Sequence, residues 1–516
     1  MLTYTAAELE QLLPEYTKKI MQALTQAGYE AYLVGGAVRD LLLGQTPSDY
    51  DITTNARPEQ VLRLCMRKNW CTVDNLGHNY GCTLIVLDEA ATEVTTFRGE
   101  HYDLIDAHKP AATWYCDNLR DDLARRDFTV NAMALDIHGR LYDYFGGCED
   151  LEKRLLRPVG KARFRYEEDA LRMLRACRFV AQLGFDYIQD GEAGAACGMK
   201  GTPYFLPQVY PFPVERCAGL SLERVRTEIE KLLVSKYAGK GLMLMMATGL
   251  LEQSCRVRKN GCFIKVPILP EATHLLGLPQ NPRYHLYDTW EHTLLAIDNS
   301  PRELAIRWSL LLHDLGKGLP QIRKPNKEGQ PSDPGHEAES AKMAQEILQR
   351  FHYPESFTNL VVWLVAQHMR FAPMLLTGEK TLRRWLYHEA KSGTFRSQKQ
   401  LTAAYSQLTE VFLADMGATH ARENHRLMAD GRLLGKQVVE MAQHSMPVTG
   451  KDLHISGHEL LAIIPQEKIK NTYNYLLERV QQGNLPNENG ALLQAVRKHI
   501  ERKRQRQNID CAASSD

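Results

Sequence analysis

Hydrophobic and polar positions along the first third of the chain switch repeatedly between two periods. Short apolar or β-branched runs at 32–34, 51–54, 83–87, 93–97 and 141–145 have the length of strands and are set off by Gly and Asp. Between them, 37–43 and 58–68 repeat apolar residues at helical spacing. The alternation predicts an α/β head with a small mixed sheet and flanking helices. From residue 151 onward the pattern is mainly helical. Residues 166–183 read as one helix with Leu171, Leu174, Phe179 and Leu183 on its apolar face, and Ser221 caps an amphipathic run through residue 233. Two Gly- and Pro-rich stretches interrupt this. The one at 187–220 reads as a long loop or insertion, and the one at 256–283 places a domain boundary near 265. The expected organisation is a head at 1–150, a helical neck at 151–265, an all-α domain at 266–430 and a helical tail at 431–516.

Composition narrows the class. The chain has 516 residues, 44% hydrophobic and 24% charged, which is ordinary for a globular protein with ample core. Its net charge is +1, so any nucleic-acid binding must come from local patches. The 11 cysteines are scattered with no CxxC pair, which argues for a reducing cytoplasm and against a disulfide framework or zinc finger. The N-terminal segment reads as an amphipathic helix, not a signal peptide. No run approaches the roughly 18 apolar residues of a membrane span.

Three stretches carry candidate chemistry. In the first, the run at 32–34 stops at Gly35-Gly36, and Ser48-Asp49-Tyr50-Asp51 opens the next strand. Residues two apart on a strand share a side, so Asp49 and Asp51 present paired carboxylates near a glycine turn whose N–H groups can meet phosphate. Such a pair holds hard cations for phosphoryl transfer. Glu93 can add a third carboxylate from its alternating strand; taken alone it also reads as a solvent-facing edge residue. In the second, Arg125 and Arg126 are adjacent, with Asp127 beside them and Asn131 further on, and guanidinium forks suit triphosphate oxygens. Asp169, Arg172, Arg175 and Arg178 follow at helical spacing, a stripe that alone also fits an ion-paired surface. In the third, His292, His313-Asp314, His336, His368 and Asp415 sit in or at the ends of apolar helical runs. Imidazole with carboxylate suits Mn, Fe, Ni, Co or Zn better than Mg.

The order GGAVRDLLLG…SDYD, EVTTFRGE, RRDFTVNAMA, DYFGGCEDL and EDALRMLRACRF resembles the class II tRNA nucleotidyltransferase/poly(A) polymerase family, and the histidine series resembles an HD phosphohydrolase domain. The first likeness covers residues 30–185 closely and the second covers 284–415. The resemblance implies that Asp49 and Asp51 hold two magnesium ions and that Glu93 takes the place of the family's third carboxylate. It implies that Gly35, Gly36 and Arg39 contact the incoming triphosphate. Arg126 and Asn131 are implied to hold phosphates and ribose, with Asp127, Arg175 and Arg178 as further nucleotide-binding candidates. Asp169 and Arg172 match the pair that reads the base. Chemistry supports that role: cytosine and adenine each offer an amino donor beside a ring-nitrogen acceptor, whereas guanine and uracil present the reverse and would leave buried charges unpaired.

The implied reaction is attack of a tRNA 3′-hydroxyl on the α-phosphate of CTP or ATP, with C, C and A added in turn. The implied partners are tRNA, CTP and ATP, with no membrane, in a cytoplasmic protein. Other readings stay open: A-addition, CC-addition or poly(A) tailing by the same chemistry, an HD-domain phosphohydrolase with a transition metal, or an RNA-binding protein with inactive sites. Two departures from the family pattern stand out. The loop before the RRD motif reads Asp106-Ala107-His108-Lys109-Pro110, and the segment at 187–220 replaces a plain helical neck. A basic C-terminal helix at 496–507 can track RNA or simply be a solvated end.

Overall fold

The apolar run that begins at Ala31 becomes the centre of a seven-stranded sheet. In the computed structural model, which describes residues 5–73, 81–101 and 112–513, β1 (Ala31–Val34) pairs antiparallel with β2 (Asp51–Thr54) on one side and with strand Met133–Leu135 on the other. β3 (Cys71–Val73), β4 (Cys82–Leu87) and β5 (Ala90–Thr96) extend it, giving the order β3-β4-β5-β2-β1, then Met133–Leu135 and Leu141–Asp143. The β2–β5 pair is parallel while its neighbours are antiparallel, so the sheet is mixed. Leu33, Ile52, Ile85 and Val94 are buried along these strands, and Val34, Phe97, Leu119, Leu123 and Ala134 form a local core. β4 lies between β3 and β5, as its β-branched composition predicts for an internal strand. The departing loop at 106–110 falls outside the described residues, but its flanks, Arg98–His101 and Ala112–Tyr115, pair as a two-stranded ribbon.

The sheet belongs to the first of two units, Met1–Thr273 and His274–Asp516. Five α-helices follow it among the described residues of that unit: Gly147–Lys153, Ala162–Glu168, Leu171–Leu183, Leu222–Leu233 and Ala238–Ala247. The single helix expected at 166–183 is in fact two. Asp169 leaves helical geometry at φ −135°, and its carboxylate accepts the Leu171 N–H at 3.0 Å, starting a new helix where the expected one would have run through. Ser221 caps the next helix as anticipated, accepting from the Arg224 N–H. The Gly- and Pro-rich stretch folds back on itself through isolated bridges, Gly194 to Val209 and Cys197 to Leu206. The unit closes with a hairpin, Ser254–Lys259 against Cys262–Pro267.

The second unit is helical. Thr289–Asn299, Leu304–Leu312, His336–Arg350, Glu355–Gln367 and Gln398–Gly417 are its principal elements before residue 420. An aromatic-rich core including Trp363, Phe371, Trp385, Tyr405 and Phe412 lies beside them. A smaller core gathers Leu460, Leu476, Val480, Leu492 and Val496. The basic stretch at 496–507 is part of helix Asn489–Ala513. No helix among the described residues is long and apolar enough to cross a membrane.

Candidate functional site

The glycine turn and the carboxylates meet at one end of β1 and β2. Gly35 takes φ +75°, and a Cβ there would come within 3.0 Å of Arg126 Nη1, so glycine serves both the turn and the approach of that arginine. Helix Gly36–Leu42 starts directly behind it. β2 begins at Asp51, so Asp49 stands just before the strand and not within it. Tyr50, between the two, packs edge-on against Tyr16 at 6.1 Å. The β2–β5 register pairs Ile52 with Val94, so Asp51 and Glu93, one residue earlier on each strand, share a face. Burial first, then the negative charges of Glu93 and Asp49, push the Asp51 carboxyl up to about 6. Three carboxylates brought together repel one another, an effect the Arg126 charge offsets only in part, and such a cluster suits a divalent cation.

These carboxylates line a cleft of 720 Å³, and Arg39, Arg126, Asp127, Asn131, Asp169, Arg172, Arg175 and Arg178 line it too. Arg39 donates to Asn131 Oδ1 at 2.7 Å, and Asn131 donates to Asp127 Oδ1 at 3.2 Å. Arg175 grips Asp127 Oδ2 at 2.6 Å. Burial alone would raise Asp127, but the Arg175 guanidinium overcomes it and holds the carboxyl down at about 2. Arg178 pairs with the buried Glu228 at 2.6 Å and lies over the Phe179 ring. Arg126 differs from these: its Nε is shielded from solvent and has no hydrogen-bond partner among the described residues, and its nearest acid, Asp122, is 3.6 Å away. A buried unsatisfied guanidinium donor at a cleft wall is a vacancy for an anion.

Asp169 and Arg172 both reach the cleft, but through the helix break and not as neighbours on one helix. The Arg172 N–H donates to the Asp169 carbonyl at 3.0 Å. The Arg172 guanidinium is held by Glu168 at 2.7 Å and by the Arg125 carbonyl at 2.9 Å. The Asp169 carboxylate faces Arg224 at 3.5 Å. Both side chains are thereby fixed in direction.

In the second unit the histidine series converges. His292 Nε2 lies 2.9 Å from Asp415 Oδ1 and 3.7 Å from Asp314 Oδ2. His313 Nε2 is 3.2 Å from Asp314 Oδ2, His336 Nε2 is 3.2 Å from Asp314 Oδ1, and His368 Nε2 is 3.3 Å from His336 Nε2. Asp314 therefore bridges two groups: His292 with His313, and His336 with His368. Each imidazole contacts a backbone carbonyl through Nδ1: Ala418, Leu310, Asp333 and Val365 respectively. Those contacts suit Nδ1–H tautomers, leaving four Nε2 lone pairs directed inward. The Nε2 atoms of His292 and His313 and both Asp314 oxygens are shielded from solvent without a well-formed hydrogen bond among the described residues. Inward lone pairs around a bridging carboxylate fit one or two transition-metal ions. His313 ends helix Leu304–Leu312, which is how two adjacent residues serve one centre.

Several residues at these places were not picked out in the sequence. Asp122, fully buried, accepts from Thr53 of β2 and pairs with Arg125 at 2.7 Å, linking that strand to the arginines. Arg224 and Lys231 reach the cleft from helix Leu222–Leu233; their spacing with Glu228, one helical turn apart each way, was the available signal. His285 packs edge-on against His292 at 4.9 Å, and Lys317 stands 2.7 Å from Asp314 Oδ2. Both also border a 450 Å³ cavity that reaches His336.

Family models match three segments. Residues 31–157 match "Poly A polymerase head domain", residues 284–415 match "HD domain", and residues 214–255 match "Probable RNA and SrmB- binding site of polymerase A". The chain is similar to the CCA-adding enzyme of Geobacillus thermodenitrificans, 43% identical over 231 residues, which is 45% of this chain and 52% of that enzyme. It is 39% identical over 284 residues to the CCA-adding enzyme of Bacillus pumilus, covering 53% of this chain and 66% of that one. The chain thus spans about half the length of the first of these relatives. Its fold is similar to the crystal structure of the Bacillus stearothermophilus CCA-adding enzyme in complex with CTP, with a TM-score of 0.59 and 24% identity over 95% of this chain and 98% of that one.

Proposed function

We propose that this chain, in which a poly A polymerase head domain at 31–157 and an HD domain at 284–415 follow one another, is a template-independent nucleotidyltransferase that adds C, C and A to the 3′ end of tRNA from CTP and ATP. The observation that carries the reading is the cleft in which Asp49, Asp51 and Glu93 face Arg126, whose buried Nε is unpartnered. Acids and bases line the same cleft, as a nucleoside triphosphate with its cations requires. Magnesium held by Asp49 and Asp51 would polarise the primer hydroxyl and offset charge on the departing pyrophosphate. Arg39, Arg126 and the Gly35-Gly36 turn receive the phosphates, and Asn131 receives the ribose. Asp169 accepts from the amino group of cytosine or adenine, and Arg172 donates to the ring nitrogen beside it. The primer oxygen bonds to the α-phosphorus as the bond to the β-phosphate oxygen breaks.

The test is to incubate the purified chain with a tRNA transcript ending before CCA and each labelled nucleotide triphosphate in turn. C is expected first and A only after C, with UTP and GTP excluded. Incorporation by Asp49→Asn/Asp51→Asn at the wild-type rate would sink the assignment. Stopping after two C, starting only at A, or extending with many A would select the partial-addition or tailing readings.

A second activity is favoured by the four inward Nε2 atoms around Asp314. His292, His313, Asp314, His336, His368 and Asp415 would hold Mn, Ni, Fe or Co, which would activate water for phosphate-ester hydrolysis. Lys317 and His285, which line the adjoining cavity, would meet a phosphate bound there. Metal-dependent release of phosphate from p-nitrophenyl phosphate, lost in His313→Ala while nucleotide addition persists, is the expected result. Equal hydrolysis by wild type and variant would remove this reading.

A further inference from the structure

The hairpin that closes the first unit takes no part in the cleft, yet its surface is unusual. Its antiparallel register sets Arg256 opposite Lys265 and Arg258 opposite Phe263, with Val257 opposite Ile264 between them and Cys255 opposite Val266 on the far side of the Arg256 pair. Cross-strand partners share a face. One face therefore carries Arg256, Arg258, Lys265 and Phe263. The other buries Cys255, Val257 and Val266. Residues 254–267 contain no acid, and neither Arg258 nor Lys265 has an ion pair among the described residues. Phe263 is 61% exposed, with the Arg256 guanidinium 4.4 Å from its ring centroid. The base of the hairpin is fixed: the Arg256 N–H donates to the Leu220 carbonyl at 2.8 Å, and Arg256 bridges to Ser221. Ser221 caps the helix whose Arg224 and Lys231 line the cleft.

We infer that this face is a second RNA-contacting surface, in which Arg256, Arg258 and Lys265 track the sugar-phosphate backbone of the tRNA and Phe263 stacks an unpaired base. The inference rests on the reading of tRNA as substrate. Cations flanking one exposed aromatic on a narrow ribbon are the combination that grips a strand while accepting any base face. A lipid surface fits less well, because Phe263 and Ile264 point to opposite faces and make no common apolar side. An acidic protein would use the charge but leave the aromatic without a purpose. The hairpin adjoins the segment at 214–255 that matches the RNA-binding family model, so the surface extends that segment beyond its matched end.

The experiment uses the full chain and two variants, Arg258→Ser/Lys265→Ser and Phe263→Ser. All three sites are exposed, so folding is expected to survive substitution; circular dichroism and melting verify it. Binding of a tRNA transcript lacking CCA is measured across a salt series, and KM for tRNA and for CTP are measured separately. The double variant should bind more weakly and lower the salt slope by about 1 for each cation removed. Phe263→Ser should raise the Kd about 5-fold or more with little change in slope. Neither should alter the CTP KM or kcat at saturating tRNA. Unchanged tRNA affinity and slope in both variants, with wild type still extending tRNA, would overturn the inference and leave the proposed function standing. A wild type that neither binds nor extends tRNA would overturn both. Loss of binding to phosphatidylserine vesicles without loss of tRNA binding would assign the surface to membranes.

Discussion

The head cleft and the histidine centre are both clusters of acids and bases, but they are built in opposite ways. Asp49 and Glu93 are exposed and Asp51 half-buried at the rim of an open cleft, whereas His292, His313, Asp314, His336 and His368 are buried among helices. The head leaves Asp49 and Glu93 in water and buries only Asp51 in part, so its carboxylates are desolvated far less. The histidine centre desolvates its ligands in advance and holds each ring by a backbone carbonyl. An unfilled site there carries charged and polar groups whose best partner is an ion. Damage to the first region should therefore appear in activity, and damage to the second in stability.

The largest effect expected is on the head. Asp51→Asn should lower nucleotide incorporation about 1,000-fold or more, since charge stabilisation by a held cation contributes several kcal/mol. Its thermal melting should not fall, because a carboxylate crowded by Glu93 and Asp49 is being removed. A melting loss as large as the activity loss would break the contrast. Next, Asp314→Ala should cost about 3–5 kcal/mol in the unfolding of the second unit, as for a buried ion pair deprived of one partner. It should also abolish any rise in melting temperature on adding Mn²⁺, while nucleotide addition per folded molecule is unchanged. Denaturant melts with and without Mn²⁺ read both.

A smaller effect comes from Asp127 in the head cleft. Its carboxyl is held down at about 2 from an ordinary 3.8, so the folded state favours its charged form. That contribution, roughly 2 kcal/mol, is complete above about pH 4 and is lost as pH falls through about 2. Asp127→Asn should flatten this part of the acid-unfolding curve. The smallest is Ser221→Ala, which removes a helix cap and should cost about 1 kcal/mol in the first unit. An undiminished first unit would show that the hairpin anchor, not the cap, holds that helix start.

Much of this was legible in the sequence because the signals are local. The Gly35-Gly36 turn and the Ser221 cap each depend on a few adjacent residues, and the structure has them where turn chemistry puts them, whereas Asp49 falls just before β2 and only Asp51 lies on the strand. The helix break at Asp169 was missed because the apolar spacing runs on across it. Only the capping of the Leu171 N–H by the Asp169 side chain reveals that one helix has become two. Asp122 and Glu228 were missed for another reason: their roles depend on partners brought from elsewhere, Thr53 for the one and Arg178 for the other. The histidine series was visible as a series, but its division into two groups sharing Asp314 is a product of helix packing. His285, in the turn before its helix, carried no periodic signal.

The central claim is that side chains at the helix break select C and A without a nucleic-acid template. The measurement that tests it most directly is kcat/KM for CTP, ATP, UTP and GTP, on tRNA primers ending at the matching position, in wild type and Asp169→Ala. Wild type should prefer CTP and ATP over UTP and GTP by about 1,000-fold or more, because a rejected base leaves buried groups unpaired. Asp169→Ala should collapse that preference to about 10-fold or less while still incorporating nucleotide. Undiminished preference in the variant would contradict the account.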